Sequence, residues 1–353
     1  HSTGGVGDKT TIALVPMVAA AGVPVPKISG RALGHTGGTV DKLESIANFK
    51  TNLTVENFIN SVKKIKASII GSTVNIAPAD HKIYALRDVT GTINSIPLMA
   101  SSIMSKKIAG GADALVLNVT VGDGAFLSSF EDAVSLSEVM VNIGKNNHKK
   151  TYAVISSMEQ PLGYAVGNSL EVQEALELLN NRGPSDLREI CLFLGSYMLM
   201  AVGIVDKQQD GIKLLKEIIA NGSALTKFME IVYNQKGDIN QIRKPELLPR
   251  AKYKRDINSP LGGFIGKVEA RIIGQAAMLL GAGRMKKDDD IDLTVGIVLR
   301  KKIGDWINEK EPLATVHYNN KEKYDLIKDS ILKAFHITDK KPKEKPLILK
   351  VIS

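Results

Sequence analysis

The chain has one cysteine, Cys191, and no uninterrupted apolar run that approaches the ~20 residues needed to span a membrane. A single cysteine cannot form an internal disulfide, and no partners at metal-ligand spacing accompany it. We therefore expect Cys191 at a buried helix position. The lack of a membrane segment predicts a cytoplasmic protein with no membrane partner.

Aromatic residues are also scarce, at 5% of the chain, although the net charge is +9 at pH 7. Surfaces that bind nucleic acid typically interleave basic residues with aromatic ones. Here the positive charge rests mostly on lysines, with the densest run at residues 339–345. No nucleic-acid partner is expected, and a solvated lysine-rich surface that attracts anionic substrates is the simpler interpretation.

The remaining composition, 44% apolar and 24% charged over 353 residues, is typical of a globular protein with a sizeable core. Apolar runs alternate with helical patterns, and the β-branched run at 114–121 predicts a central parallel strand. After residue 251, short segments with frequent glycine predict a β-rich part, in which Trp306 is expected in the core.

We therefore predict an α/β protein with a small all-α lobe. A central mixed, mostly parallel sheet would be flanked by helices, with a β-rich lobe at the C-terminus. The predicted divisions are an α/β domain from residues 1–71 and 113–250, a small α domain at 72–112, and the C-terminal lobe at 251–353.

Residues 1–11 form the first glycine-rich loop, with the sequence HSTGGVGDKTT. Its three glycines let backbone N–H groups turn toward an anion. The apolar run at 12–21 predicts a helix, whose N-terminus adds unpaired donors. The pattern is neither G-x-G-x-x-G nor a Walker A loop. It predicts an anion site, with phosphate favoured, against the alternative of an ordinary loop-to-helix turn.

Residues 27–41 form the second glycine-rich loop, with the sequence KISGRALGHTGGTVD. One predicted helix and one short strand separate the two loops, which is half of a βαβ unit. Such units place consecutive loops on the same edge of a parallel sheet. We expect the two loops to form one deep anion site.

A third candidate group consists of Arg87, Ser102 and Lys106. Ser102 and Lys106 are four residues apart on a helix predicted over 95–109, and so lie on one face. Arg87 falls on the preceding predicted helix. From these residues alone, a helix end with solvated lysines is the simpler interpretation.

Several long motifs resemble the thymidine and pyrimidine-nucleoside phosphorylase family, and they cover almost the whole chain. They are HSTGGVGDKTT, SGRALGHTGGTVDKLESI, APADHKIYALRDVTGTINSIPLMASSIMSKKIAGGADALVLNVTVGDGAF, QPLGYAVGNSLEVQEAL and AMLLGAGRMKKDDDIDLTVGIVLRKKIGD. Members also carry an N-terminal helical segment and a lysine just before the histidine that matches His1. This sequence has no initiator Met and starts inside a motif, so we expect its N-terminal part to be missing.

The resemblance implies reversible phosphorolysis of uridine, thymidine or deoxyuridine by a homodimer without an organic cofactor. It assigns the base to Arg87, Ser102, Lys106 and Phe126. It assigns phosphate to His1, Ser2, Thr11, Lys27, Ile28, Ser29 and Thr39. Catalytic roles fall on Arg87, Lys106 and His1, the last as general acid or as a positioning donor. The choice between uridine and thymidine stays open.

The resemblance also implies a potassium site at Gly7, Lys9, Leu162, Ala165 and Glu174. Members usually have threonine where Lys9 stands. Two hypotheses stay open: the Lys9 ammonium enters the site and replaces the ion, or it points to solvent and potassium still binds. Asn118 and Thr120 also depart from the family, which has an acidic residue and a lysine there.

Two other functions are carried as alternatives. An anthranilate-type phosphoribosyltransferase has similar glycine-rich loops, but it needs acidic residues to hold magnesium, and no Asp-Glu pair follows the predicted central strand. A non-catalytic nucleoside or phosphate sensor would keep the pocket without turnover.

Overall fold

A computed structural model describes residues 1–31, 34–72, 77–80, 82–83, 90, 92, 95–284 and 289–353. Arg87 lies outside the described residues. Residues 78–80 and 82–83 are helical, within the predicted helix that precedes the one at 95–109. The two glycine-rich loops are described except for residues 32 and 33.

The first part of the chain alternates helices and strands at the predicted places. The elements are α1 (Thr10–Ala20), β1 (Val25–Ser29), α2 (Thr39–Leu43), α3 (Val55–Ile65), β2 (Ala67–Gly71), α4 (Ile96–Ala109), β3 (Ala114–Val121), α5 (Phe130–Asn146) and β4 (Lys150–Ser157). The central strand predicted at 114–121 is confirmed with the same bounds.

The sequence also predicts a long helical region from Ser169 to about Val232, and the structure resolves it into four helices. Around them lie β5 (Ala165–Val166), α6 (Asn168–Leu179), α7 (Ser185–Ala201), α8 (Gln208–Ala220), α9 (Ser223–Asn234) and α10 (Asn240–Arg243). Cys191 is fully buried on α7, as predicted.

The C-terminal part is rich in short strands, as predicted. Its elements are β6 (Tyr253–Asn258), β7 (Gly263–Val268), α11 (Ala270–Ala277), β8 (Gly296–Leu299), β9 (Trp306–Ile307), β10 (Pro312–Tyr318), α12 (Lys321–Lys333), β11 (Phe335–Thr338) and β12 (Ile348–Ile352). The core placement of Trp306 was wrong. Its surface is 50% exposed, because the indole lies edge-on against Phe264 at the end of short strand β9.

Both strand pairs of the α/β part are parallel. β1 pairs with β2, and β3 pairs with β4 along their whole length. β12 returns to add an antiparallel edge to β4. In the C-terminal lobe the strand orders are β5-β8-β10-β6 and β11-β7-β9, all antiparallel.

Apolar side chains of α1, α6, α7, α8 and α9 form the largest core. α1 is buried on nearly all sides, which fixes the end of the first glycine-rich loop in the interior. The domain boundaries stay a prediction. In the portion of the chain that is described, no helix is long and apolar enough to cross a lipid bilayer.

Candidate active site

The two glycine-rich loops line one cavity of about 270 Å³. The first loop contributes His1, Ser2 and Thr11, and the second contributes Lys27, Ser29 and Thr39. Ser102 and Phe126 line the same cavity. The structure thus places most of the predicted phosphate and base residues around a single space.

The start of the first loop runs alongside β3. The Asn118 N–H donates to the His1 carbonyl at 2.6 Å, and the Thr3 N–H donates to the Asn118 carbonyl at 2.9 Å. The Gly4 N–H donates to the Ser2 hydroxyl at 3.1 Å. Strand-like pairing therefore holds His1 and Ser2 at the cavity wall.

Asn118 and Thr120 continue this attachment with neutral side chains. The Asn118 Oδ1 accepts from the Ser156 hydroxyl at 2.7 Å, deep in the sheet. The Thr120 hydroxyl lies 2.9 Å from that of Thr3 and donates to the Gly4 carbonyl. Asn118 and Thr120, where the resemblance implies an acidic residue and a lysine, thus hold the loop by hydrogen bonds alone.

Lys27 is a partly buried cation at the start of the second glycine-rich loop. It lies on β1 and lines the main cavity as well as a smaller one of about 140 Å³ behind it. Burial lowers the pKa of Lys27 to about 8, although the carboxylate of Asp8 opposes this change. Its ammonium is therefore a charge that ordinary buffers can titrate.

Ile28 follows Lys27 on β1, and its side chain is buried. Its carbonyl accepts from Lys107 Nζ at 2.9 Å. Burial, together with the nearby charges of Lys27 and Lys106, holds the pKa of Lys107 well below its ordinary value. The predicted role of Ile28 in binding phosphate through its backbone stays a prediction.

The predicted base residues lie on α4 and beside it. Lys106 Nζ donates to the Ser102 hydroxyl at 3.0 Å and to the Asp80 carboxylate at 2.5 Å. Lys106 itself lines the smaller cavity, and Ser102, which accepts from its ammonium, lines the main one. The ring of Phe126 packs at 5.7 Å from that of His35.

Asp80 and Asp8 are two site residues that sequence reasoning missed. Asp80 is the ion-pair partner of Lys106, and Asp8 accepts from the Thr10 N–H at 3.1 Å at the start of α1. Asp8 also lines the main cavity. The signal for both was their place inside the long motifs, next to residues that were selected.

Lys9 points into the protein, where three oxygens surround its ammonium. Lys9 Nζ donates to the carbonyls of Leu162 and Ala165 at 2.8 and 2.9 Å, and to Glu174 Oε2 at 2.5 Å. Its side chain is fully buried. The carbonyl of Gly7 accepts from the backbone N–H of Lys9 at 2.9 Å.

A second buried lysine, Lys42 on α2, makes a similar contact with Glu171, which lies about one turn before Glu174 on α6. Its Nζ lies 2.7 Å from Glu171 Oε2 and 2.6 Å from the carbonyl of Asp8. Glu171 and Glu174 are both on α6. Each glycine-rich loop is thus tied by one buried ion pair to the same helix.

The fold and cavity define an α/β protein that presents two glycine-rich loops and one face of α4 to one space. Consistent with this class, residues 1–225 match the family model described as "Glycosyl transferase family, a/b domain". Residues 264–338 match the model described as "Pyrimidine nucleoside phosphorylase C-terminal domain".

Curated relatives narrow the class further. The chain is 54% identical to the pyrimidine-nucleoside phosphorylase of Staphylococcus haemolyticus (strain JCSC1435) over 93% of this chain and 76% of that relative. It is also 54% identical to the enzyme of the same name from Bacillus subtilis (strain 168), over 93% of this chain and 75% of the relative. The chain belongs to the pyrimidine-nucleoside phosphorylase family.

Among solved structures, the anthranilate phosphoribosyltransferase of Thermus thermophilus aligns with a TM-score of 0.47 and 18% identity. The alignment covers 67% of this chain and 77% of that one. A likeness at this level supports no conclusion about substrate.

Proposed function

We propose that the chain catalyses reversible phosphorolysis of pyrimidine nucleosides, releasing the free base and a pentose 1-phosphate. Uridine, thymidine and deoxyuridine are the proposed substrates, and phosphate is the co-substrate. The observation that carries the proposal is the shared cavity, which is lined by both glycine-rich loops and by Ser102 and Phe126.

The base half of the cavity suits a pyrimidine. A pyrimidine presents O2, N3–H and O4, an acceptor–donor–acceptor edge. The ammonium of Lys106 is a donor for a carbonyl oxygen, and the Ser102 hydroxyl can accept from N3–H. We assign Arg87 to the other carbonyl oxygen on the basis of sequence. Phe126 would form the apolar wall.

The reaction is a displacement at the anomeric carbon. A phosphate oxygen forms a bond to C1′ while the bond from C1′ to the base nitrogen breaks, and the electron pair leaves with the base. Negative charge then develops on the base oxygens, where fixed cations bind more strongly than in the ground state. We assign His1 to the base O2 as general acid.

The phosphate half of the cavity is built from hydroxyls, backbone N–H groups and the partly buried Lys27. Ser2, Thr11, Ser29 and Thr39 are the proposed hydroxyl ligands. Holding phosphate here while α4 holds the base would place both reactants at the anomeric carbon. No covalent enzyme intermediate is needed for this chemistry.

Direct displacement predicts inversion at C1′. Incubation of the full-length protein with phosphate and each of the three nucleosides should release base only when phosphate is present, with the α-anomer of the pentose 1-phosphate as product. Rates for the three nucleosides would also establish the preference at the 2′ position. The product anomer is read by NMR.

The rival reaction is tested in parallel with phosphoribosyl pyrophosphate and anthranilate. Turnover of that pair, with none for phosphate and a nucleoside, would show that the chain is a phosphoribosyltransferase. Failure of both assays would favour a non-catalytic sensor. The matched relatives and family models support neither alternative better than phosphorolysis.

The lowered pKa of Lys27 predicts that phosphate binding depends on pH, and this dependence tests the proposal. Above about pH 8 the ammonium loses its proton, so KM for phosphate should rise as pH increases through 8. The second ionisation of inorganic phosphate falls near neutral pH, so KM is calculated from the concentration of the dianion at each pH, which removes phosphate's own titration. The measurement is KM for phosphate between pH 7 and pH 9.

Lys27→Met is the matched variant for this test, because it keeps the length of the side chain and removes the charge. It should bind phosphate more weakly, with a KM that no longer depends on pH in this interval. A pH-dependence that persists in Lys27→Met would assign the titration to another group.

We also propose that the protein is a cytoplasmic homodimer without an organic cofactor. The support is the family resemblance stated above. Light scattering after size-exclusion chromatography on the full-length protein would measure the oligomeric state directly.

A further inference from the structure

The family resemblance implies a potassium ion among Gly7, Leu162, Ala165 and Glu174, so the oxygens at these positions can be tested for it. The oxygen cage consists of the carbonyls of Leu162 and Ala165 and the carboxylate of Glu174. All three accept from Lys9 Nζ, at 2.8, 2.9 and 2.5 Å. An ion bound to these oxygens would occupy the same space as the ammonium. The residues present do not fit a resident cation.

The ammonium is a chemically complete occupant of the cage. It has three N–H donors and no acceptor, and each donor has one oxygen partner. Lysine is a compact point charge, as a monovalent cation is, and it favours the same hard oxygens. We propose that the Lys9 ammonium permanently replaces the monovalent cation, so that stability and activity of this protein do not require potassium.

The electrostatics of the cage support a charged occupant. The Glu174 carboxylate is nearly buried and also accepts from the backbone N–H groups of Tyr164 and Ala165 at 2.9 and 3.1 Å. Burial alone would lower the pKa of Lys9, but the carboxylates of Glu174 and Glu171 outweigh burial and raise it. The cage therefore favours the charged form of the ammonium.

The replacement changes how the segment at residues 161–165 is held. Lys9 binds the carbonyls of Leu162 and Ala165, whereas Lys302 of the C-terminal lobe binds those of Pro161 and Gly163 at 2.5 and 2.8 Å. Lys302 also pairs with Asp186 at 2.9 Å. Two tethered ammonium groups thus clamp one segment, from the first glycine-rich loop on one side and from the C-terminal lobe on the other.

Lys9→Thr tests the proposal, because it removes the ammonium and leaves room for an ion. In choline chloride the melting temperature of Lys9→Thr should fall by on the order of 5–10 °C, since Glu174 keeps a buried, unpaired charge. KCl at the same ionic strength should restore at least half of the loss, and LiCl should restore much less. The unmodified protein should melt at the same temperature in all three salts.

Two control variants make the readout specific. Lys42→Thr removes another buried lysine that pairs with a glutamate on α6, but its cation has only two oxygen partners among the described residues. It should be destabilised without a response that is selective for potassium. Lys9→Met fills the space that an ion would need, so potassium should not rescue it.

Three results would overturn the proposal. One is potassium-dependent melting or activity of the unmodified protein. Another is a folded Lys9→Thr that responds equally to potassium, lithium and choline. The third is an equal potassium response in Lys42→Thr. If Lys9→Thr does not fold, the unmodified protein still decides. Because unfolding is the readout, the outcome is independent of whether the proposed reaction is correct.

Discussion

Replacing Lys106 by alanine is expected to lower kcat/KM for phosphorolysis by on the order of 10²-fold or more. The ammonium lies 3.0 Å from the Ser102 hydroxyl, where it can bind the base oxygen that gains negative charge. The loss should appear mainly in kcat, because the interaction is strongest in the transition state. Steady-state kinetics with varied nucleoside and varied phosphate measure it.

Phosphate affinity should change little in Lys106→Ala, and a solvent-exposed lysine on α3 provides the control. Lys64→Ala removes the same group away from the cavity and should leave kcat/KM unchanged. If Lys106→Ala keeps near-full turnover but has a raised KM for phosphate, then Lys106 binds phosphate and not the base. Arg87→Ala is expected to lose activity to the same order, because the family assigns it to the same base edge.

Replacing Gly7 by alanine is expected to destabilise the protein by about 3 kcal/mol or more. Gly7 has φ +75°, and a Cβ there would stand 2.6 Å from the carbonyl oxygen of Leu162. That oxygen belongs to backbone that Lys9 also holds, so it cannot move aside without breaking the cage. Thermal unfolding of Gly7→Ala against the parent measures the loss.

Gly22→Ala is the matched control for backbone strain. Gly22 also has a left-handed φ of +91°, but a Cβ there meets nothing within 4 Å. Its loss should be about 1 kcal/mol, the strain alone. Equal losses for the two variants would mean that the first glycine-rich loop does not press against residue 162 as described.

The sequence predicted the central strand because a local pattern determines it. The run at 114–121 is apolar and β-branched, and a strand buried on both faces requires that composition. The convergence of the loops depends in addition on distant pairing, because the second loop begins on β1 whereas the first is held beside β3 by the bridge between Ser2 and Asn118.

The helical region at 169–232 shows where pattern reasoning was too coarse. Gly183-Pro184 and Asn221-Gly222 separate helices there, and Gly183 and Gly222 have positive φ. These turns carry standard helix-stop signals. The apolar periodicity continues on both sides of each turn, so the pattern indicates one helical region and not the turns that divide it.

The contacts that define the site chemistry could not be predicted from spacing. The pairing of Lys106 with Asp80 depends on how two helices pack. The three partners of Lys9 come from residues more than 150 positions away, so only the resemblance brought them into one hypothesis. For Trp306 the residue type predicted burial, but its position at the edge of the lobe leaves the side chain exposed.

Helix α6 holds both glycine-rich loops through two of its carboxylates. Glu174 pairs with Lys9 of the first glycine-rich loop, and Glu171 pairs with Lys42, directly after the second. The two carboxylates are three residues apart, a rise of about 4.5 Å along the axis. The helix therefore fixes the spacing between the two points at which the loops are attached to it.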